Sequence, residues 1–242
     1  MYLTRFRLNT ARSGTRKLLS SPQAMHAAVL AGFPDLLPSD SDAPRVLWRV
    51  DRVSAAEVFL YVVSSGRPDY THLVEQAGWP AAGTGWQTGE YAPFLEKLAA
   101  GDVWRFRLTA NPVHSVRTKD GQETKVTAHV TWRHQADWLL QRQEAAGFRV
   151  ARKPDGEEAP EGQETPDRYA QYELMVHDQR RLEFSKGKRN GSGKATRVRV
   201  NTATFDGRLE VTDPEALRRT LTAGLGRAKA YGCGLMTLAP VE

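Results

Sequence analysis

His26 is the residue best placed for chemistry in this 242-residue chain. Ser21-Pro22 reads as a helix start, with Ser21 as N-cap and Pro22 at the first helical position. A helix N-terminus carries partial positive charge and favours anions. His26 falls one turn inside that helix, and Gln23 precedes it on the same face. An imidazole there could protonate a leaving group or take a proton from a hydroxyl. A structural or merely exposed histidine would fit the same spacing. The other histidines form no ligand set: His129 and His134 lack a Cys or carboxylate at a recognised metal spacing. The single Cys233 excludes an intrachain disulfide and a multi-Cys zinc site. There is no Walker A loop, nucleophile elbow or H-E-x-x-H helix. The residues therefore point to chemistry without a metal or a cofactor.

The second group that could act is cationic. Arg180, Arg181, Lys186, Lys188, Arg189, Lys194, Arg197 and Arg199 lie close together, with Glu183 the only acid among them. Gly187, Gly191 and Gly193 make the stretch a flexible hairpin tip. Such a run is either a solvated face or a polyanion site, because like charges on one ribbon repel until an anion neutralises them. Arg117 and Lys119, with Lys125, mark a second basic hairpin with a D-G turn. Arg16 and Lys17 follow the first strand in a Ser/Gly-containing loop. The formal net charge of +6 also favours an anionic partner, nucleic acid or an acidic membrane surface. No apolar run is long enough to span a bilayer and no signal peptide is visible, so a cytoplasmic protein is the simplest expectation.

The third group is the closing stretch Gly224-Leu225-Gly226-Arg227-Ala228-Lys229-Ala230-Tyr231-Gly232-Cys233-Gly234. Gly224, Gly226, Gly232 and Gly234 suit a tight loop, and Arg227 and Lys229 place cations where backbone N–H groups could meet a phosphate. Asp213-Pro214 starts a helix that Gly224 ends, and Leu235–Leu238 is a short final strand. The order helix, loop, strand is the reverse of a dinucleotide-binding loop, so a nucleotide-binding enzyme is disfavoured.

The elements that must carry these groups follow from periodicity. Met1–Asn9 alternates as a strand, a helix runs from Pro22 to about Ala31, and Val46–Val53 with Glu57–Val63 reads as a hairpin. A polar region follows, then a helix over Tyr91–Ala99 and a strand over Val103–Ala110. That order, βαββαβ, defines a ferredoxin-like unit. The second half repeats it more loosely, with a helix over Gln135–Ala146, strands at Phe148–Val150, Tyr172–Val176, Arg181–Phe184, Val198–Thr204 and Arg208–Val211, and the Pro214 helix. Pro154–Pro166, rich in Pro, Glu and Gly, reads as a disordered loop. The expected fold is α+β: two tandem ferredoxin-like, RRM-like domains, residues 1–111 and 112–242.

Met1-Tyr2-Leu3-Thr4, Met25-His26, Phe106-Arg107-Leu108-Thr109-Ala110-Asn111-Pro112, Gly207-Arg208-Leu209-Glu210-Val211 and the Gly-rich close resemble one family along the whole chain. It is the CRISPR RNA-processing endoribonuclease of type I-E systems, the CasE subunit of the Cascade effector. The resemblance implies two ferredoxin-like domains and a catalytic role for His26. It implies contact between the basic hairpin and the stem-loop of a CRISPR repeat, with Lys186 and Lys188 near the family's basic contacts. The family often has a tyrosine where this chain has Gln23; Gln can orient an oxygen but cannot act as a base. The implied reaction is metal-independent cutting at the 3′ base of the stem, by attack of the 2′-OH, to release mature guide RNA. Implied partners are the repeat hairpin, the guide RNA and other Cascade subunits, with no membrane. The competing reading is a non-catalytic RNA-binding module of a ribonucleoprotein complex.

Overall fold

The computed structural model describes residues 1–33, 45–81, 85–116, 125–154, 169–186 and 196–241. The chain is α+β and forms two ferredoxin-like domains. By packing it divides into two compact units, residues 1–98 with 218–235 and residues 99–217 with 236–242, where the sequence reading divides it after Asn111.

The first unit contains β1 (Tyr2–Leu8), α1 (Ser13–Ser20), α2 (Pro22–Leu30), β2 (Leu47–Arg52), β3 (Val58–Ser64), α3 (Thr71–Ala77), β4 (Trp86–Glu90) and α4 (Ala92–Lys97). Its antiparallel sheet has the order β2-β3-β1-β4, the ferredoxin-like arrangement. Alternation along β1 turns Thr4, Phe6 and Leu8 inward and Arg5 and Arg7 outward. The core gathers Phe6, Leu8, Met25, Val29, Trp48, Leu60, Val62, Tyr70 and Leu73. α2 starts as its sequence dictates: the Ser21 hydroxyl accepts from the Ala24 N–H at 3.2 Å, and Pro22 follows.

Three readings of this half are corrected. The segment around Arg16 and Lys17 is the helix α1, not a loop. Gly14 sits in it because a Cβ there would fall 2.2 Å from the Gln76 carbonyl oxygen, and Thr15 donates to the Ala77 carbonyl at 3.0 Å. The polar region after β3 holds α3 and β4. Among the described residues β4 is an edge strand paired with β1 alone, so it needs no apolar alternation. The strand Val103–Ala110 exists but opens the second sheet, because its registered partners are the strands at 203–210 and 236–240.

The second unit is built from β5 (Val103–Ala110), the small hairpin β6 (Val113–Val116) and β7 (Lys125–Ala128), α5 (Trp132–Leu140), β8 (Phe148–Val150), β9 (Leu174–Lys186), β10 (Thr196–Val211) and β11 (Met236–Pro240). Helix α6 (Pro214–Ala223) begins where Asp213 caps it, its carboxylate accepting from the N–H groups of Glu215 and Ala216 at 2.9 and 3.0 Å. The sheet order is β11-β5-β10-β8, with β9 also on β10. Phe106, Leu108, Phe148, Val150, Phe205 and Leu209 of the sheet and Leu139 of α5 are buried. α5 starts earlier than Gln135, since Thr131 caps it through the His134 N–H. The separate short strands expected near Tyr172–Phe184 and Val198–Val211 are two long ones, paired from Gly207↔Leu174 to Thr196↔Lys186 with one irregularity at Thr202/Thr204. The tip of that ribbon, residues 187–195, and the stretch 155–168 expected to be disordered lie outside the described residues.

Candidate active site

His26 is half-buried on α2, with Gln23 one turn earlier and also half-buried. Its Nδ1 accepts a hydrogen bond from the Trp48 indole Nε1–H at 3.3 Å. Burial lowers the His26 pKa below its ordinary value, so the ring is biased toward neutrality. Trp48 lies in β2 and is only 4% exposed. The sequence reading missed it as a site residue. It stands in an apolar strand, and nothing in the spacing from 26 to 48 announces a contact.

The Gly-rich segment packs on the same helix and strand. A 3-10 turn at Lys229–Tyr231 lies against α2 and β2. The loop closes on itself where Leu225 N–H donates to the Gly234 carbonyl at 2.9 Å. Gly224, Gly226, Gly232 and Gly234 all take positive φ, and so does Ala228 at 62°. Successive residues of β2 point to opposite faces. The loop meets both: Gly224 approaches Leu47, and Gly232 approaches the Trp48 ring. A loop built this way straddles β2, which among the described residues is an edge strand of the sheet, and brings Lys229 beside α2. Lys229 is half-buried, and burial followed by the nearby Arg45 lowers its pKa. Two cations held together in this way favour a bound anion. Arg227 is exposed. Cys233 is fully buried and its thiol is pushed up to about 12, which excludes it as a nucleophile at neutral pH.

The loop is held from beneath by a second unforeseen group. Arg49, 1% exposed, donates through Nε and Nη2 to the Asp51 carboxylate at 2.6 and 2.9 Å, and through Nη1 to the Leu235 carbonyl at 2.9 Å. The sequence shows only alternate charges in a strand, where a surface pair would be the ordinary expectation.

Gly232 supplies a direct test of the loop's role. Its φ is 81°, and an added Cβ would lie 2.7 Å from Trp48 Cζ3. Gly232→Val therefore combines left-handed strain with overpacking and is expected to cost about 2–4 kcal/mol. Urea unfolding measures it; a loss below about 0.5 kcal/mol, the range of an ordinary surface change, would show that loop and indole are not in contact.

The remaining expected contacts are distributed as follows. Arg16 and Lys17 are exposed on α1, where the Arg16 guanidinium donates to the Ala11 carbonyl at 2.8 Å. Lys186 ends β9. Arg117, Lys119, Lys188, Arg189 and Lys194 lie outside the described residues. The described stem of the basic ribbon is charged as the sequence suggests. Glu183 is shared by Arg181, Arg199 and Arg197, at 2.9, 3.4 and 3.2 Å. One carboxylate cannot neutralise three guanidinium groups, so this face stays positive. Among the described residues, no group of three or more His, Cys, Asp or Glu side chains is arranged to hold a metal ion. No helix of the described residues is long and apolar enough to cross a membrane.

The fold and site thus define a two-domain ferredoxin-like protein with a neutral-biased imidazole beside a cationic glycine loop. Residues 1–240 match the sequence profile of the family described as "CRISPR associated protein". The CRISPR-associated endoribonuclease Cse3 of Thermus thermophilus is 31% identical over 241 residues, covering 99% of this chain and all of the relative. The Cascade subunit CasE of Escherichia coli is 27% identical over 205 residues, 81% of this chain and 89% of the relative. Among solved structures, Cse3 bound to a 19-nucleotide RNA superposes with a TM-score of 0.72 at 28% identity, covering 99% of this chain and 100% of that one. The chain belongs to the Cse3/CasE family of CRISPR-associated endoribonucleases.

Proposed function

We propose that this chain is the endoribonuclease that binds the stem-loop of a CRISPR repeat transcript and cuts at the 3′ base of the stem without a metal ion. The observation that carries the reading is the half-buried His26 on α2, with its imidazole held by Trp48 and with Lys229 on the adjoining loop. The 2′-OH beside the scissile phosphate attacks in line, the P–O5′ bond breaks, and the products are a 2′,3′-cyclic phosphate and a 5′-OH. His26 assists proton transfer or stabilises charge. Lys229, with Arg45 close by, stabilises the phosphorane. The RNA-binding role extends to Arg16, Lys17, Gln23, Arg227 and the basic hairpins carrying Arg117, Lys119, Lys186, Lys188, Arg189 and Lys194. Tight product binding makes the enzyme single-turnover, and the processed guide RNA with other Cascade subunits forms its working assembly. A cytoplasmic location goes with that assembly.

The test is cleavage of repeat hairpins in EDTA, with the ends of the products sequenced and their phosphates typed. An internal 2′-OH nucleophile needs no metal hydroxide, so the rate is expected to be unchanged by chelation. Strict dependence on added Mg²⁺, with the RNA fold held constant, would refute the metal-independent reading. Gln23 favours a second reading, because a side chain that cannot act as a base stands where the family often has tyrosine. In that case the protein is an RNA-binding module, and the same assay returns tight binding with intact RNA.

A further inference from the structure

We infer that Trp48 is a positioning residue for His26: its indole N–H holds Nδ1 as an acceptor, so the ring presents its Nε2–H to the RNA. This rests on the reading of His26 as the catalytic residue. The argument starts from donor chemistry. Either nitrogen of a neutral imidazole can carry the proton, but the indole nitrogen can only donate. The Trp48 Nε1 to His26 Nδ1 bond at 3.3 Å therefore requires a lone pair on Nδ1, and the ring proton sits on Nε2. Burial of the ring favours the same neutral form.

The indole is itself held firmly. Trp48 is 4% exposed, belongs to the cluster that includes Met25 and Val29 of α2, and has Gly232 against its ring. The donor thus arrives on a strand, braced by a helix and a loop, which is the arrangement that fixes a side chain's direction.

The consequence is a division of labour in the reaction. With Nδ1 occupied, His26 is not the group that takes the 2′-OH proton. Its Nε2–H is a donor to the oxygens that gain charge. As the O2′–P bond forms and the P–O5′ bond breaks, the electron pair of the broken bond goes to O5′. Nε2–H stabilises that charge and keeps its own proton, while water carries the 2′-OH proton away and returns one to O5′. A neutral imidazole acting as an electrophile in this way is an established catalytic pattern. It also fits Gln23, because the mechanism needs no side-chain base one turn earlier on α2.

The experiment uses the full-length ¹⁵N-labelled chain and two-bond proton–nitrogen correlations of the His26 ring at neutral pH. Wild type is expected to show an unprotonated Nδ1 and a protonated Nε2. Trp48→Phe keeps an aromatic ring against Gly232 and removes the donor. It is expected to shift the Nδ1 signal and to slow single-turnover cleavage by roughly 10- to 100-fold, the usual cost of removing an orienting partner, with RNA affinity unchanged. A protonated Nδ1 in wild type overturns the inference, and needs no variant to fold. So does a Trp48→Phe protein that alters the Nδ1 signal yet cuts at the wild-type rate. The catalytic reading fails differently: His26→Ala would still cut, whatever the ring spectrum shows.

Discussion

His26→Ala is expected to lower the single-turnover rate of repeat-RNA cleavage by about 10²–10⁴-fold and to leave RNA affinity unchanged. The loss corresponds to roughly 3–5 kcal/mol of transition-state stabilisation. His26 is the imidazole on a helix whose N-terminus, capped by Ser21, favours a phosphate nearby. In the proposed reading affinity rests elsewhere, on cations such as those crowding Glu183 and on Lys229, so one neutral ring is expected to contribute little to it. A substrate carrying 2′-deoxy at the attacking nucleotide is expected to give the same phenotype from the RNA side: tight binding and no product. The measurement is cleavage with saturating enzyme beside a binding titration on the same RNA. A variant that cuts within a few-fold of wild type makes His26 structural and removes it from the mechanism.

Asp51→Ala is expected to destabilise the first unit by about 3–5 kcal/mol, the second large effect. Arg49 and Asp51 are 1% and 9% exposed, and the bidentate pair joins Nε and Nη2 to the two carboxylate oxygens. Deleting the carboxylate strips a buried guanidinium of its strongest partner. The double replacement Arg49→Met with Asp51→Leu removes both charges and is expected to be far less harmful than the single change, because no buried charge is left behind. The same guanidinium donates to Leu235 at the end of the Gly-rich loop, so Asp51→Ala should also loosen that loop and lower cleavage in the folded fraction. Urea unfolding of the single and double variants measures the energetic part. If Asp51→Ala costs less than about 1 kcal/mol, the range of a surface ion pair, the pair is not acting as a buried one.

These two predictions divide in how far the sequence foresaw them. The place of His26 was legible because a helix start has a local chemistry: Ser21 caps, Pro22 presets φ, and the imidazole follows within about one turn. The same holds for α6, where Asp213-Pro214 opens the helix and Gly224 closes it, and for the β2–β3 hairpin, whose two strands pair in antiparallel register as expected. The cationic ribbon was legible because charge density needs no tertiary information to be counted.

Other parts depended on partners distant in sequence. Gly14 and Ser13 look like loop residues, yet α1 forms because only a glycine lets the helix approach the end of α3. The N-cap residue of α3, Tyr70, makes no side-chain capping bond, the Thr71 N–H donating instead to Asp69 at 2.9 Å, and β4 is a partly exposed edge strand, so neither writes a strong periodic pattern. Val103–Ala110 reads as a strand from its own residues, but its own residues do not say which sheet it joins; the registers with β10 and β11 decide that.

The sequence by itself determined the local elements, the positive charge and the place of His26 on its helix, because caps, turns and alternation act over a few residues. The tertiary structure alone decided that the Gly-rich loop near the C-terminus straddles β2. It brought the Trp48 indole to His26 Nδ1 and buried Arg49 against Asp51 beneath the loop. Apart from the Arg49–Asp51 pair itself, those contacts join residues far apart along the chain. Their hydrogen bonds depend on atoms brought within about 3 Å by packing, a distance that no spacing in the sequence encodes.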